Sequence, residues 1–597
     1  MAQGLQSHLG YKMGCDKMVR AGQWTNESES AADAKADPGA CAWISRPVAP
    51  LRGVDEDAAA PLSGLSFAVK DNIDVLGLET TVGCPAFAYW PAAHATVVQR
   101  LLDAGASVLG KTNLDQFACG LSGTRSPYGV VPNSFDAAYC CGGSSSGSAY
   151  VVATGQADFS LGTDTAGSGR VPAGLNNIVG LKPTRGLLSA RGVQPAMASV
   201  DCVSIFARSV GTAVRVLELA QGHDPGDPYS RRLRLDTRPF PANFRFGVPD
   251  RLEFFGDTLA ESAFRDARQA LRLLGGSEVI IDYAPLAQAA DMLYGSALVA
   301  ERYSAIKAFF DRSEAQLVQP VRDIIGKGRG HSAADLAAAQ SRVKALAQQA
   351  DGMWRGIDVL LVPTAPTHYR IEQMLADPVR LNRNLGAYTN FVNLFDYAAI
   401  SVPSAIRPDG LPFGITLIGP ACSDLRLADL GQRYHHARGL NQGALALPLP
   451  EPRAVFPPAP PPGLVRVAVV GAHLSGMPLN GQLLERGATL VQTTRTAPVY
   501  ELFALQGTLP PKPGMARARA GEGAAIEVEV WEMPMAHYGS FVAGVPAPLC
   551  IGTIALADGG TVQGFLCEAQ ALESAIPITR HGGWRAWLAS QAATREP

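Results

Sequence analysis

Between about residue 50 and residue 445, short apolar runs alternate with segments whose apolar side chains recur every three to four positions. LSFAVKDNI, SVLGKT, DVLLVPT and GITLIG have the length and composition of buried strands. TVVQRLLDAGA, ESAFRDARQALRLLGG and AADLAAAQSRVKALAQQADGMW carry the helical repeat, and a glycine pair closes the second of them. This alternation predicts an α/β layered domain, a sheet with helices packed on it, and leaves strand direction open. Beyond residue 465 the rhythm changes. VRVAVVGAHLSGMPLN, ATLVQTTRTAPVYELFAL, AAIEVEVWEMP, PLCIGTIALADGG and TVQGFLCE are closely spaced β-like runs broken by Gly and Pro, with one helix expected near Gly583 to Ser590. They predict a smaller β-rich α+β domain of barrel-like form.

The two patterns meet at LALPLPEPRAVFPPAPPPG, residues 445–463, which has eight prolines between Pro448 and Pro462. Consecutive prolines forbid helix and favour extended polyproline II, so the segment reads as a semi-rigid spacer. The expected division is an irregular, partly disordered lead-in over 1–45, a main domain over 46–444, a linker over 445–464 and a C-terminal domain over 465–597.

Composition narrows the function classes. The 597 residues suffice for several domains, and the 47% hydrophobic and 17% charged fractions are those of a globular chain. With 51 Lys and Arg against 53 Asp and Glu, and no long basic run, a nucleic-acid partner is not expected. Ten cysteines, two of them adjacent at Cys140 and Cys141, do not form a disulfide ladder or a metal clip, so a reducing compartment is expected. The first residues lack the apolar core of a secretory signal. The one long uncharged stretch, Ala137 to Ala157, is too rich in Gly and Ser to cross a bilayer. A cytoplasmic protein without a membrane partner is the expectation.

The densest chemistry runs from Cys140 to Gly186, CCGGSSSGSAYVVATGQADFSLGTDTAGSGRVPAGLNNIVGLKPTRG. A Gly/Ser-rich loop by itself reads as a flexible connection or an anion nest. Here one apolar element leads to a second glycine turn, GTDTAGSGR, in which Gly167 and Gly169 flank Ser168. Glycines around a serine permit the tight backbone that aims several N–H groups at one point, as an oxyanion hole requires. A nucleophilic serine needs a base, and no histidine lies between His94 and His223. Lys70, in LSFAVKDNI, is the alternative, because burial lowers a lysine's pKa toward that of a useful base. Taken alone, it reads equally as an exposed lysine at a strand end.

AVKDNI, GGSSSGS, GTDTAGSGRVPA and GLKPTRG together resemble the amidase signature family, over most of residues 60–420, with Ser144 placed 24 residues before Ser168. The resemblance implies a mixed sheet covered by helices, and amide hydrolysis by a Ser, cis-Ser, Lys triad. Matched motif by motif, it makes Ser168 the nucleophile, Ser144 the bridging serine after a cis peptide and Lys70 the terminal base. It places the backbone N–H groups of Thr165, Ala166, Gly167 and Ser168 at the oxyanion hole. The chain reads SSSG where many members read SSGG, and TAGS where many read GGS, so Ala166 stands where glycine is usual and still offers its N–H. Asp164 and Arg170 read as an ion pair that shapes the turn.

FACGLSGTRSPYG (117–129), LYGSALVAERY (293–303), DVLLVPTAPTHY (358–369) and YTNFVNLFDYAAISVP (388–403), with the extra C-terminal domain, resemble the allophanate hydrolase branch of that family. The branch implies hydrolysis of allophanate (urea-1-carboxylate) to ammonia and N-carboxycarbamate, which decarboxylates to CO2 and ammonia, in urea degradation or at the end of triazine and cyanurate breakdown. Tyr294 and Arg302 match a pair eight residues apart that binds the substrate carboxylate. That spacing is close to two helical turns, so both are expected on one face of one helix. Without the resemblance, VAERYSAIKAFF reads as an ordinary amphipathic helix. Ala118 to Gly120 match backbone that lines the acyl pocket, with Cys119 as a small filler. The C-terminal domain is expected to resemble a γ-glutamyl cyclotransferase-like barrel, with His473 and Glu568 as candidates for acid–base work. No cofactor and no metal are implied. The expected partner is a small carboxylated amide, and the expected assembly a homo-oligomer, a dimer, associated with the enzymes that supply the substrate. An amidase for another small amide, a catalytically silent scaffold and an amidotransferase A subunit remain open alternatives.

Overall fold

The computed structural model of the chain describes residues 39–53, 60–233, 235–455, 463–519, 521–557 and 560–593. Most of the expected lead-in (1–38) and the prolines at 457–462 lie outside the described residues.

The main sheet has eleven strands: β1 Trp43–Ser45, β2 Ser66–Lys70, β3 Ser107–Thr112, β4 Phe159–Asp164, β5 Val179–Lys182, β6 Cys202–Ala207, β7 Arg245–Pro249, β8 Ser277–Ile281, β9 Val359–Pro363, β10 Ala398–Ile406 and β11 Pro412–Gly419. Their order across the sheet is β1-β3-β2-β4-β6-β5-β10-β11-β9-β7-β8. β2 runs parallel to β3 and β4, and β7 parallel to β8 and β9, while the strands between pair antiparallel. The sheet is therefore mixed, which settles the strand direction that the sequence pattern left open.

Every residue of β4, β6 and β11 is buried, as expected of strands covered on both faces. Helices Thr96–Asp103, Val210–Ala220, Thr258–Leu273 and Asp424–Arg438 supply one shared core, through residues such as Leu101, Leu217, Phe264 and Leu430. Helices Ala284–Gly295 and Ala333–Asp351 contribute Leu293 and Leu346 to a second core. Several helix starts follow from their capping residues: Ser209, Asp257 and Ser332 accept the backbone N–H of Thr212, Ala260 and Asp335.

Three expectations about organisation change. β1 pairs with β3 through Trp43 and Thr112, so the sheet begins inside the segment assigned to the lead-in. The single apolar element expected between the two glycine turns is two elements, helix Ser146–Ala153 and strand β4. The first part of the proline-rich segment is no free spacer. Arg453 pairs with Glu218 at 2.9 Å, and Val455 is buried in the core of the main sheet. Apolar residues between the prolines find partners there, which a polyproline reading does not anticipate.

The C-terminal body comprises β12 Leu464–Val469, β13 Thr489–Arg495, β14 Tyr500–Ala504, β15 Pro513–Arg517, β16 Glu527–Pro534, β17 Leu549–Ala555, β18 Thr561–Cys567 and β19 Ile576–Pro577. They form a five-stranded sheet, β13-β16-β12-β18-β17, and a three-stranded one, β15-β14-β19, around a core that includes Tyr500, Val528, Trp531 and Trp584. Helix Trp584–Ala593 falls where the sequence predicts one, and helix Met535–Ala543 is additional. Among the described residues, no helix is long and apolar enough to cross a membrane.

Candidate active site

β2 and β4 are parallel, so Lys70 and Asp164, the last residues of each, lie at the same edge of the sheet. Loop ends at the carboxyl edge of parallel strands are a common place for a site in α/β folds. The turn Thr165–Arg170 leaves β4 there and enters helix Val171–Leu175. The loop Gly142–Ser145 leads into helix Ser146–Ala153, and its Gly143–Ser144 peptide bond is cis.

Lys70, Ser144 and Ser168 are all buried. Lys70 Nζ lies 2.8 Å from Ser144 Oγ, 2.8 Å from Thr163 Oγ1 and 3.5 Å from the Thr163 carbonyl oxygen. Three oxygens thus face Nζ and match the three N–H donors of an ammonium; once a proton leaves, the freed lone pair faces the Ser144 hydroxyl. Burial lowers the Lys70 pKa to about 7, against the opposing pull of Asp115, Asp201 and Asp164. The sequence offers no signal for Thr163 beyond its place just before the glycine turn. Ser168 Oγ takes no hydrogen bond among the described residues, so Lys70 and Ser144 are brought together directly, but the contact between Ser144 and Ser168 is not made in this state.

The turn itself is fixed from below. Asp164 accepts the Gly169 N–H at 2.9 Å and holds Arg170 in a buried two-pronged ion pair, with Nε and Nη2 each at 2.9 Å. Burial pushes the Asp164 carboxyl up, but Arg170, with Lys182 and the Gly169 N–H, more than offsets it and leaves it below the usual carboxylate range. Arg170 also donates to the Thr389 carbonyl oxygen and to Asn393 Oδ1, which ties the turn to helix Asn390–Leu394. Thr165 donates to Asp201, whose carboxylate also accepts the N–H groups of Ala196 and Met197. With the turn held in this way, the backbone N–H groups of Ala166, Gly167 and Ser168 make no hydrogen bond among the described residues.

Tyr294 and Arg302 meet, but not on one helix. Tyr294 ends helix Ala284–Gly295, and Arg302 lies in the first turns of helix Val299–Ser313. Ser296, extended at φ −134° and ψ −178°, breaks the chain between them, and its Oγ donates to the Met292 carbonyl and accepts the Leu298 N–H. The two side chains meet, but across a break in the chain and not on one helix face as the two-turn argument expects. Arg302 Nη2 donates to Tyr294 Oη at 3.1 Å, and its guanidinium carbon lies 4.9 Å from the centre of the Tyr294 ring. Arg302 is 2% exposed, and its Nε has no hydrogen-bond partner. Its other hydrogen bond among the described residues goes to the Ala118 carbonyl oxygen at 3.5 Å.

The loop at Ala118–Gly120 thus reaches the same place. Phe117 and Ala118 both adopt φ +51°, and a Cβ at Gly120 would come within 2.3 Å of the Asp115 carboxylate. Asp115 links this loop to the serine loop: its N–H donates to the Ser144 carbonyl, and its side chain accepts the N–H groups of Gly123 and Arg125. Cys119 is buried beside them. Among the described residues, no group of three His, Cys, Asp or Glu side chains is placed to hold a metal ion.

The two C-terminal candidates stand apart. His473 lines a cavity of about 230 Å³, stacked on Phe565 at 5.0 Å and edge-on to Phe541, with Nε2 3.0 Å from Gln482 Oε1. Burial lowers its pKa. Glu568 is exposed just past the end of β18 and is not among the residues lining that cavity.

Residues 37–428 match the Amidase family, and residues 465–589 match the Allophanate hydrolase C-terminal domain. The chain is 42% identical over 553 residues to the urea amidolyase of Saccharomyces cerevisiae, a match that covers 90% of this chain. It spans only 30% of the length of that relative and of the Lachancea kluyveri urea amidolyase. It is 33% identical over 430 residues to the glutamyl-tRNA(Gln) amidotransferase A subunit of Synechococcus, covering 65% of this chain and 87% of that protein. The solved structure of Kluyveromyces lactis allophanate hydrolase is similar at a TM-score of 0.68 and 39% identity, covering 93% of this chain and 94% of that one. The Amidase match covers well over half of the chain, so the chain belongs to the amidase family of amidohydrolases and carries an allophanate hydrolase C-terminal domain behind its amidase domain.

Proposed function

We propose that this chain hydrolyses allophanate, a urea that carries a carboxylate on one nitrogen, at its terminal amide. The observation that carries this reading is Arg302, a buried guanidinium that meets a phenol and a carbonyl but no carboxylate in ion-pair range among the described residues. Asp201 and Glu301 act on this guanidinium only from beyond ion-pair range, so a carboxylate that arrives with the substrate can make the direct pair that the protein does not. The likeness to proteins named urea amidolyase and allophanate hydrolase supports the choice of anion.

In this mechanism Ser168 Oγ attacks the terminal amide carbonyl. Its proton passes to Ser144 as Ser144 gives its own to neutral Lys70, which keeps its donation to Thr163. The tetrahedral oxyanion takes the N–H groups of Thr165, Ala166, Gly167 and Ser168. The relay runs in reverse to protonate departing ammonia, and water then cleaves the acyl-enzyme to N-carboxycarbamate, which loses CO2. The Ser144–Ser168 contact closes when substrate seats, since catalytic hydrogen bonds are often long in the free enzyme. Ammonia release from allophanate, malonamate, biuret and a neutral aryl amide tests the reading. Preference for the two carboxylated amides supports it. Equal turnover of the neutral amide favours an amidase for another small amide, and glutamine deamidation that needs partner chains favours the amidotransferase reading.

Lys70 sets the pH dependence. The base must be neutral, and with a pKa of about 7 it is mostly protonated below that value. We expect kcat/KM to rise about tenfold per pH unit below 7 and to level off above it. A rate still climbing steeply toward the ordinary lysine value counts against Lys70 as a buried base.

In the same reading the C-terminal domain serves assembly or stabilisation of a cytoplasmic homodimer that associates with the enzymes supplying its substrate. The nine described cysteines, all free, support a reducing setting. Because Val455 packs in the main core, the truncation that tests this ends after residue 455 rather than at 445. The truncated chain should keep amide cleavage and change the oligomer seen by light scattering. Accumulation of N-carboxycarbamate by the truncated chain and by His473→Ala instead assigns chemistry to the second domain.

A further inference from the structure

Tyr294 has a second side. It forms part of the wall of a cavity of about 460 Å³ whose polar lining comprises Arg125, Lys327, Asn382, Arg383 and Asn390, and which the reaction described above does not use. Arg125 is 3% exposed and donates to the carbonyl oxygens of Cys119 and Pro378. Its Nε has no hydrogen-bond partner, and no carboxylate lies within ion-pair range of it among the described residues. Asn390, 4% exposed, lines the same cavity with an unpartnered Oδ1. Lys327 is exposed and makes no ion pair among the described residues. The one carboxylate in the lining, Asp291, is held by Arg383 at 2.7 Å. The cavity thus presents three cations against one anion, and both buried guanidiniums, Arg125 and Arg302, meet the loop Ala118–Cys119 through its carbonyl oxygens.

We propose that this cavity is an anion-binding antechamber that collects the small carboxylated amide outside Tyr294 before it reaches Arg302. The inference rests on the reading of Arg302 as the carboxylate site and adds the route and the residues that draw the anion in. A cleft lined by one sign of charge raises the local concentration of the opposite sign, and the effect is screened by salt. Asn390 Oδ1 can accept a substrate N–H, which an amide carries and a plain carboxylate does not. Arg125 positions as well as attracts, because it holds the carbonyls of Cys119 and Pro378, so Lys327 is the cleaner probe.

The experiment uses the full chain and two substrates that differ only at one end, malonamate (a terminal carboxylate) and malonamide (a second amide in its place). In Lys327→Glu, KM for malonamate should rise about 3- to 10-fold more than KM for malonamide, with kcat on malonamate changing less than KM, and raising salt from about 0.05 to about 0.5 M should narrow the difference. Lys327→Gln should show a smaller change in the same direction. If Lys327→Glu changes both KM values equally, or neither, while Arg302→Ala still erases the preference for malonamate, the antechamber is overturned and the carboxylate site stands. If the unmodified chain does not prefer malonamate to malonamide, both fall together.

Discussion

Replacing Ser168 by alanine should abolish ammonia release, with kcat lower by about 10⁴- to 10⁶-fold, the scale on which removal of a catalytic nucleophile acts. The fold should survive, because Ser168 Oγ takes no hydrogen bond among the described residues and its loss leaves no buried partner unsatisfied. Ser144→Ala should cost a comparable factor for a different reason. Among the described residues, it removes the only hydroxyl besides that of Thr163 within hydrogen-bond reach of Lys70 Nζ, so the base would lose its link to the nucleophile. Lys70→Ala removes the base itself and leaves Thr163 and Ser144 facing a buried gap, so lower thermal stability should accompany the lost activity. Single-turnover ammonia release together with thermal unfolding separates these cases. The three effects should be far from additive, since each variant disables the same relay. Turnover within tenfold of the unmodified chain in any one of them breaks the relay at that residue.

Arg302→Ala should lower kcat/KM for allophanate by about 30- to 5,000-fold, the equivalent of about 2–5 kcal/mol for a buried charge pair that loses one partner. Tyr294→Phe takes away the phenol that receives Arg302 Nη2 and leaves a buried donor unsatisfied, an effect of about 1–3 kcal/mol. Steady-state kinetics on allophanate and on a neutral amide check both. The neutral amide should lose much less, so the ratio between the two substrates is the quantity to read. An equal loss on both means that the pair shapes the site without sensing the carboxylate. The double variant should be less damaging than the two single losses combined, because Tyr294 has little to hold once Arg302 is gone.

The sequence made some of this legible and left the rest hidden, for physical reasons. Helix Thr258–Leu273 buries Ala260, Ala263, Phe264, Ala267, Ala270 and Leu271 at three-to-four spacing, so its pattern was readable directly. β2 and β11 were readable as short, largely apolar runs, but their neighbours were not, because pairing between β4 and β6 or β10 and β5 is set by contacts far apart in the chain. The glycine turn and the lysine stood out by their resemblance to family motifs, in which residue type and spacing are restricted together. Thr163 and Asp201 were not, since a threonine in a strand and an aspartate before one carry no such restriction. Tyr294 and Arg302 were found by resemblance, while the helical argument for their meeting failed at Ser296. Arg125 was quoted within a motif but had no role until its unpartnered Nε was placed against a cavity. Val455 shows the opposite limit: composition marked a spacer, and a single apolar side chain with a partner in the core docked its first part.

We expect Lys70, acting through Ser144, to make Ser168 the one activated nucleophile of the chain. Labelling with a serine-directed fluorophosphonate, followed by intact-mass and peptide mass spectrometry across pH 5.5 to about 9, addresses it most directly. One adduct per chain is expected, on the peptide that contains Ser168, forming at a rate that rises with a midpoint near pH 7, slows in the presence of malonamate and collapses in Lys70→Ala. An adduct on another residue, or labelling of Ser168 at an unchanged rate in Lys70→Ala, contradicts it.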